Sequence, residues 1–413
     1  MGLFDLAALV VTLAALFAFL NHRFIGLPAA LGVMLIALVV SLLLLVVGES
    51  LAPNLVDWAV RSLDRLDFSA TVLEGMLSFL LFAGGLFVDF ETLAQRRYIV
   101  ALLATLGVVL SSLVVAALAW ALLPLVGAGL PFGWCLVFGA LISPTDPIAV
   151  LGILKSAGVP ESLETKVVGE SLFNDGVAVV VFLVVLQIAA TGTASVTEIG
   201  SLFVREALGG AALGLAAGWL AHHMLRSIDQ YQVEILVTLA VVMGGYALAN
   251  RLHLSGPIAM VMAGLLLGNH RQSHAMSATT RQHLYQFWEL IDEILNAVLF
   301  VLLGLEVLVL DFGTAAVLAG AAMVPAVLLA RLISVGAPVA LLSPFRPFGR
   351  GTVPVLTWGG LRGGISVALV LSLPAGAPRD LLLPVTYCVV LFSLLVQGLT
   401  VGPLARRLAA RAD

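Results

Sequence analysis

Charge is what this sequence has least of: only 11% of its 413 residues are Asp, Glu, Lys or Arg, against about 25% in a soluble domain. With 61% hydrophobic residues and a mean hydropathy of +1.13, the chain is not a soluble globule; its solvent is lipid. The net charge is only −4 and no run of Lys or Arg forms a basic patch, which excludes nucleic acid as a partner. Cysteine is scarce too. Cys135 and Cys388 sit far apart inside apolar runs and read as two buried free thiols. The N-terminus, MGLFDLAALVVTLAALFAFL, has no positive residue before its apolar run and carries Asp5 instead. That excludes a typical signal peptide and leaves a first membrane helix.

What is abundant is apolar runs of about 20 residues, the length that crosses a hydrocarbon core of about 30 Å at 1.5 Å per residue. Thirteen spans are expected: 4–20, 27–48, 73–90, 98–123, 132–154, 165–190, 203–225, 232–250, 256–268, 295–310, 316–342, 353–373 and 381–402. Two stretches, NLVDWAVRSLDRLDF after the second span and HLYQFWELIDEIL after the ninth, have helical amphipathic spacing and are expected in the interface. With the N-terminus outside, thirteen of the twenty basic residues fall on the cytoplasmic side. Five fall outside: Arg61, Arg65, Arg205, Arg251 and Arg379. The positive-inside rule therefore predicts an inner-membrane protein, N-terminus out and C-terminus in. Arg331 and Arg362 remain, both within spans.

The chain repeats itself. LNHRFIGLP at 20–28 resembles ANRLHLSGP at 249–257, and FLLFAGGLFVD at 79–89 resembles VLFVLLGLEVL at 298–308. The reading is an all-α polytopic protein: a six-helix repeat over 1–190, a linker helix within 191–231, and an inverted six-helix repeat over 232–413. Inverted repeats are the architecture of secondary transporters, with the substrate site between them at mid-membrane.

Such transporters build ion sites from interrupted helices. The fifth span reads GWCLVFGALISPTDPIAVLGILK, with Pro144 and Pro147 around a mid-span Asp146. Each proline removes a donor and clashes with the preceding turn. At the matching place the twelfth span has Gly359, Gly360, Gly363 and Gly364 around Arg362. A mid-bilayer charge costs at least about 2.5 to 3.5 kcal/mol on insertion scales. Both spans are therefore expected to be broken, crossing at the midplane for function.

The sixth span, GESLFNDGVAVVVF, packs Glu170, Ser171, Asn174 and Asp175 into six residues. Spacings of four and five place Glu170 on the same side as Asn174 and close to Asp175. A small hard cation wants several oxygens, which the Asp175 carboxylate, the Ser171 hydroxyl, the Asn174 amide and groups around Thr145 could supply. Interhelical hydrogen bonding is the competing role for Ser171 and Asn174.

SPTDPIAVLGILK, GESLFNDGVAVVVF and GLRGGISVAL, in this order and spacing, resemble the first family of monovalent cation:proton antiporters, relatives of the eukaryotic sodium/proton exchangers. The resemblance implies that Asp175, with Asn174, carries ion and proton by turns, and that the Asn-Asp pair marks the electroneutral branch. It further implies roles for Thr145 and Asp146, an ion pair between Glu170 and Arg362, and Glu74 as a further ion-reaching carboxylate. Na+ would be held at Asp175, Ser171 and Thr145, with Li+ or K+ as possible alternatives. Na+ and H+ would be cargo, with no cofactor and no enzymatic activity, and the protein would be a homodimer serving pH and sodium homeostasis.

In mechanism, protons and Na+ compete for one half-buried carboxylate, while Asp146 and Arg362 compensate the half-helix ends. Asp89, Glu91, Asp311 and Arg379 read as helix-end residues; Glu306 and Arg331 lie deeper, and a pairing between them is open. His222 and His223 lack any metal-ligand spacing. Sodium-coupled uptake of an organic anion and an intramembrane aspartyl protease are the rivals. The first lacks a further polar pocket, and the second would need two carboxylates sharing a proton, which the prolines around Asp146 do not suit.

Overall fold

The computed structural model describes residues 2–48, 53–64, 68–88, 90–146, 150, 161–191, 196–269, 278–344 and 351–409. Pro147, Asp89, the side chain of Glu91 and several loop cations, Lys155 and Arg271 among them, lie outside what is described. The described chain is helical, with no strand in it. The helices are α1 (Leu3–Leu20), α2 (Ala29–Leu43), α3 (Pro53–Asp64), α4 (Leu77–Phe87), α5 (Phe90–Leu102), α6 (Val108–Leu122), α7 (Phe132–Ile142), α8 (Glu161–Thr191) and α9 (Val196–Phe203). They continue as α10 (Gly209–Arg226), α11 (Tyr231–Leu252), α12 (Gly256–Asn269), α13 (Ala278–Leu305), α14 (Thr314–Leu342), α15 (Thr352–Trp358), α16 (Gly364–Leu371), α17 (Ala377–Phe392) and α18 (Gly398–Ala409). Among the described residues eight helical stretches are long and apolar enough to cross a membrane, and α7 and α12 are shorter apolar helices. This is an all-helical membrane protein.

Lipid tails are as apolar as leucine, so helices associate through close packing at small residues. Gly264 and Gly268 of α12 lie directly on the α4 backbone; a Cβ at Gly264 would stand 2.3 Å from the Phe82 carbonyl oxygen. The same device seats α7, where a Cβ at Gly139 would stand 2.1 Å from the Ser112 carbonyl oxygen of α6. With α8 packed on its other side, the end of α7 is held between two long helices. On the other flank α14 packs against both α6 and α17, which carries Arg331 toward the same depth.

The second amphipathic stretch departs from expectation. HLYQFWELIDEIL is no separate interfacial helix: as residues 283–295 it lies within α13, one continuous 28-residue helix. Its apolar face is spent on protein, since Trp288 is fully buried, stacks on Phe82 at 4.6 Å between ring centroids and donates its Nε1 hydrogen to Thr238 Oγ1 of α11 at 3.0 Å. The first amphipathic stretch does form its own 12-residue helix, α3.

Candidate ion-binding site

Both expected interruptions are present at their centres. α7 ends at Ile142 and residues 143–146 are not helical; α15 ends at Trp358 and α16 begins at Gly364. The two breaks touch. Asp146 donates its backbone N–H to the Leu361 carbonyl at 2.8 Å. Gly363, at the N-cap of α16, must be a glycine because a Cβ there would stand 2.2 Å from Asp146 Oδ2. The Asp146 carboxylate thus sits at the positive end of α16, the placement a helix dipole favours.

Arg362 answers from the other side. Its guanidinium Nη1 donates to the carbonyls of Ser143 and, at 2.9 Å, of Pro144, so a cation closes the carbonyl end of α7. Its backbone N–H is taken by Ser393 Oγ at 2.9 Å. Ser393 opens a π-helical turn, Ser393–Gln397, between α17 and α18, and Gln397 Nε2 donates to the Trp358 carbonyl at 3.0 Å. The second break is therefore closed by the helix that follows it.

The expected ion pair is corrected. Glu170 pairs with Arg331 of α14, bidentately: Nη1 with Oε1, and Nη2 with Oε2 at 2.9 Å. Arg331 also donates to the Leu356 carbonyl from Nε and Nη2 at 3.3 and 3.2 Å, and Gly360 leaves room for it. Arg331 therefore has Glu170 as a partner. Arg362, which was to hold Glu170, is committed to the α7 carbonyls. Both arginines and Glu170 are buried. A planar guanidinium meeting a carboxylate on two parallel bonds is the strongest form of such a pair.

On α8, Ser171, Asn174 and Asp175 face the first break, and all are buried with Thr145. Asn174 Nδ2 donates to Thr145 Oγ1 at 2.7 Å, and its Oδ1 accepts the Thr145 backbone N–H at 3.3 Å. Thr145 Oγ1 and Ser171 Oγ share a hydrogen at 3.0 Å. Asn174 acts as a strut that fixes the threonine, while the two hydroxyls keep lone pairs. Asp175 lies one turn after Ser171, and among the described residues no hydrogen bond to its carboxylate is found. Hydroxyl oxygens next to a buried carboxylate make a set that can hold a small cation or a proton.

Among the described residues no hydrogen bond or ion pair brings Glu74 into this cluster. It lies exposed in a π-helical turn, Thr71–Met76, whose Leu73 carbonyl accepts the Tyr246 hydroxyl; that segment packs against α16. Sequence reasoning missed Ser393 and Gln397, which look like ordinary polar residues of a membrane span, and it left Arg331 unassigned. A buried mid-span arginine was the signal, but nothing in the sequence chose between two of them. Asp292 on α13 was absorbed into the supposed interfacial stretch, and Asn296 falls just beyond it in the expected tenth span.

Comparison with known proteins agrees with this geometry. A family model described as "Sodium/hydrogen exchanger, transmembrane" matches residues 9–407. The chain is 52% identical over 411 residues to the Na(+)/H(+) antiporter NhaP of Pseudomonas aeruginosa, covering 98% of this chain and 97% of that one. It is 38% identical to the Na(+)/H(+) antiporter NhaH of Halobacillus dabanensis, over 88% and 89% of the two chains. In fold it matches the sodium proton antiporter MjNhaP1 from Methanocaldococcus jannaschii with a TM-score of 0.76 at 18% identity, over 99% of both chains. A buried carboxylate among hydroxyls where two interrupted helices meet, on a chain matched nearly end to end, places this protein in the sodium/hydrogen exchanger family.

Proposed function

We propose that the protein exchanges Na+ for H+ across the cell inner membrane, one for one, with Asp175 as the carrier and Thr145 and Ser171 as further ligands of the ion. The observation that carries this is the position of Asp175: buried on α8, facing the crossing of the breaks, beside hydroxyls that Asn174 holds in place. An empty carboxylate would lose too much hydration to cross the barrier, whereas one loaded with Na+ or H+ is neutral. That asymmetry couples the two fluxes. Asn174 leaves one acid in the Asn-Asp pair, so a one-for-one cycle moves no net charge.

The proposed architecture is thirteen crossings, with repeats over 1–190 and 232–413 inverted about a linker in 191–231, the N-terminus outside and the C-terminus in the cytoplasm. The mutual contact of the two breaks supports the inverted pair. A homodimer is proposed with it, and Li+ and K+ are the competing cations. The deciding experiment is ΔpH dissipation in proteoliposomes on adding each cation in turn. Na+ should collapse the gradient at the same rate with or without a clamped membrane potential. A sustained current following the sodium gradient would overturn the one-for-one stoichiometry, and no Na+-dependent dissipation would overturn the function.

A further inference from the structure

The Thr71–Met76 turn carries a charge where lipid would not tolerate one. It lies within the apolar stretch Phe68–Phe87, long enough to cross a membrane, yet its Glu74 is exposed. A carboxylate within a span is costly in hydrocarbon and is normally found at a water-filled opening or in the bundle interior. The turn packs against α16, whose N-cap Gly363 lies against Asp146 where the two breaks meet. The turn is π-helical: Leu77 donates its N–H to the Val72 carbonyl, five residues back. It is tied to a second helix, because the Leu73 carbonyl, next to Glu74 in the chain, accepts the hydroxyl of Tyr246 on α11. Tightening a π-turn into an α-turn would swing the residues on one side of it by about 100° around the axis. Tyr246 itself has little freedom. It is 8% exposed, and its ring lies on Gly256 at the start of α12, where a Cβ would stand 2.6 Å from Tyr246 Cε2.

We propose that Tyr246 is a positioning residue for cation capture: its hydroxyl fixes the 71–76 turn so that Glu74 borders a water-filled approach to the crossing and gathers the monovalent cation there. This rests on the exchange reading and deepens it. Tyr246 touches no ion and acts through Glu74. A carboxylate in the approach raises the local cation concentration and takes no part in the buried binding step. Its misplacement should therefore weaken capture of Na+ and leave turnover at saturation intact.

The test is Na+-driven proton movement in proteoliposomes across Na+ concentration. Glu74→Gln and Tyr246→Phe should each raise the KM for Na+ roughly threefold to tenfold, with kcat within about twofold of wild type. Because Tyr246 acts through Glu74, the double variant should show the KM of Glu74→Gln alone, a coupling that two independent sites would not give. Tyr387→Phe is the matched control: a buried tyrosine whose hydroxyl is also given to a carbonyl, that of Leu303, and its variant should keep the wild-type KM even where it melts lower. A wild-type KM in Tyr246→Phe overturns the proposal, and so does one in Glu74→Gln. So does a double variant whose KM rises by the product of the two single effects, or an equal rise in Tyr387→Phe. Wild-type protein that moves no protons with Na+ would instead fail the exchange reading itself.

Discussion

The two breaks are equivalent in position and opposite in character. At the first, the freed backbone is satisfied largely from the other break: Arg362 donates to the Ser143 and Pro144 carbonyls and Leu361 takes the Asp146 N–H, while Asn174 takes that of Thr145. The threonine hydroxyl is left beside Ser171 and Asp175. At the second, the freed groups are met from within the second repeat: Gln397 donates to the Trp358 carbonyl, Ser393 takes the Arg362 N–H, and Leu361 N–H folds back to the Gly359 carbonyl at 2.8 Å. An unwound segment whose backbone groups are met in this way, and whose buried Arg362 Nη2 without a partner is a donor, has little left to offer a cation. The difference teaches that one break presents chemistry while the other anchors it, holding Arg362 so that the first stays open.

The largest effect should come at the chemical break. Asp175→Asn is isosteric and removes the proposed carrier, so exchange should fall below a few per cent of wild type while size-exclusion behaviour and melting in detergent stay close to normal. Faster sodium-driven proton movement would mean another carboxylate carries the proton, and the division of labour would collapse.

Next is the pair that braces α8. Glu170→Gln or Arg331→Ala leaves a buried charge uncompensated, which costs about 3 to 5 kcal/mol, and should lower the detergent melting temperature more than any single change at Ser393 or Gln397. The double variant Glu170→Met with Arg331→Met should recover most of that loss, because an apolar pair of similar volume often does as well. If Arg362→Ala restores stability to Glu170→Gln while the double variant does not, Glu170 answers to Arg362 and the structural pairing is wrong.

These residues also mark where sequence stops being informative. The breaks were legible because Pro144 and the glycines around Arg362 bring mid-span charges with them at matching places in the two repeats, and there Asp146 and Gly363 touch. Proline alone would not have sufficed: Pro325 and Pro338 lie inside α14, which runs on as one helix of 29 residues. The partner of Glu170 was not legible, because Arg331 and Arg362 are both mid-span and the choice depends on how α14 packs against α6 and α17. Nor was the fate of α13. An amphipathic face is the same pattern whether lipid headgroups or another helix cover it, and here α4 and α11 bury Trp288.

Smallest, and most discriminating, is deletion of one hydroxyl at each break. Thr145→Val removes the oxygen that accepts from Asn174 and shares a hydrogen with Ser171; Ser393→Ala removes the one that accepts the Arg362 N–H. Both leave a buried donor without its acceptor, so each should cost about 1 to 3 kcal/mol of stability. On Na+ they should differ. If Thr145 is a ligand, the valine also loses a contact to the ion, and the KM for Na+ should rise about tenfold, equivalent to about 1.4 kcal/mol. The Ser393 hydroxyl bonds to the anchoring segment, so its alanine variant should melt lower yet keep the wild-type KM. Measuring KM and melting temperature on the same two preparations separates the cases. A KM that rises as far in Ser393→Ala as in Thr145→Val would mean that the breaks share the ion, because loosening the anchor would then disturb binding as directly as removing a ligand.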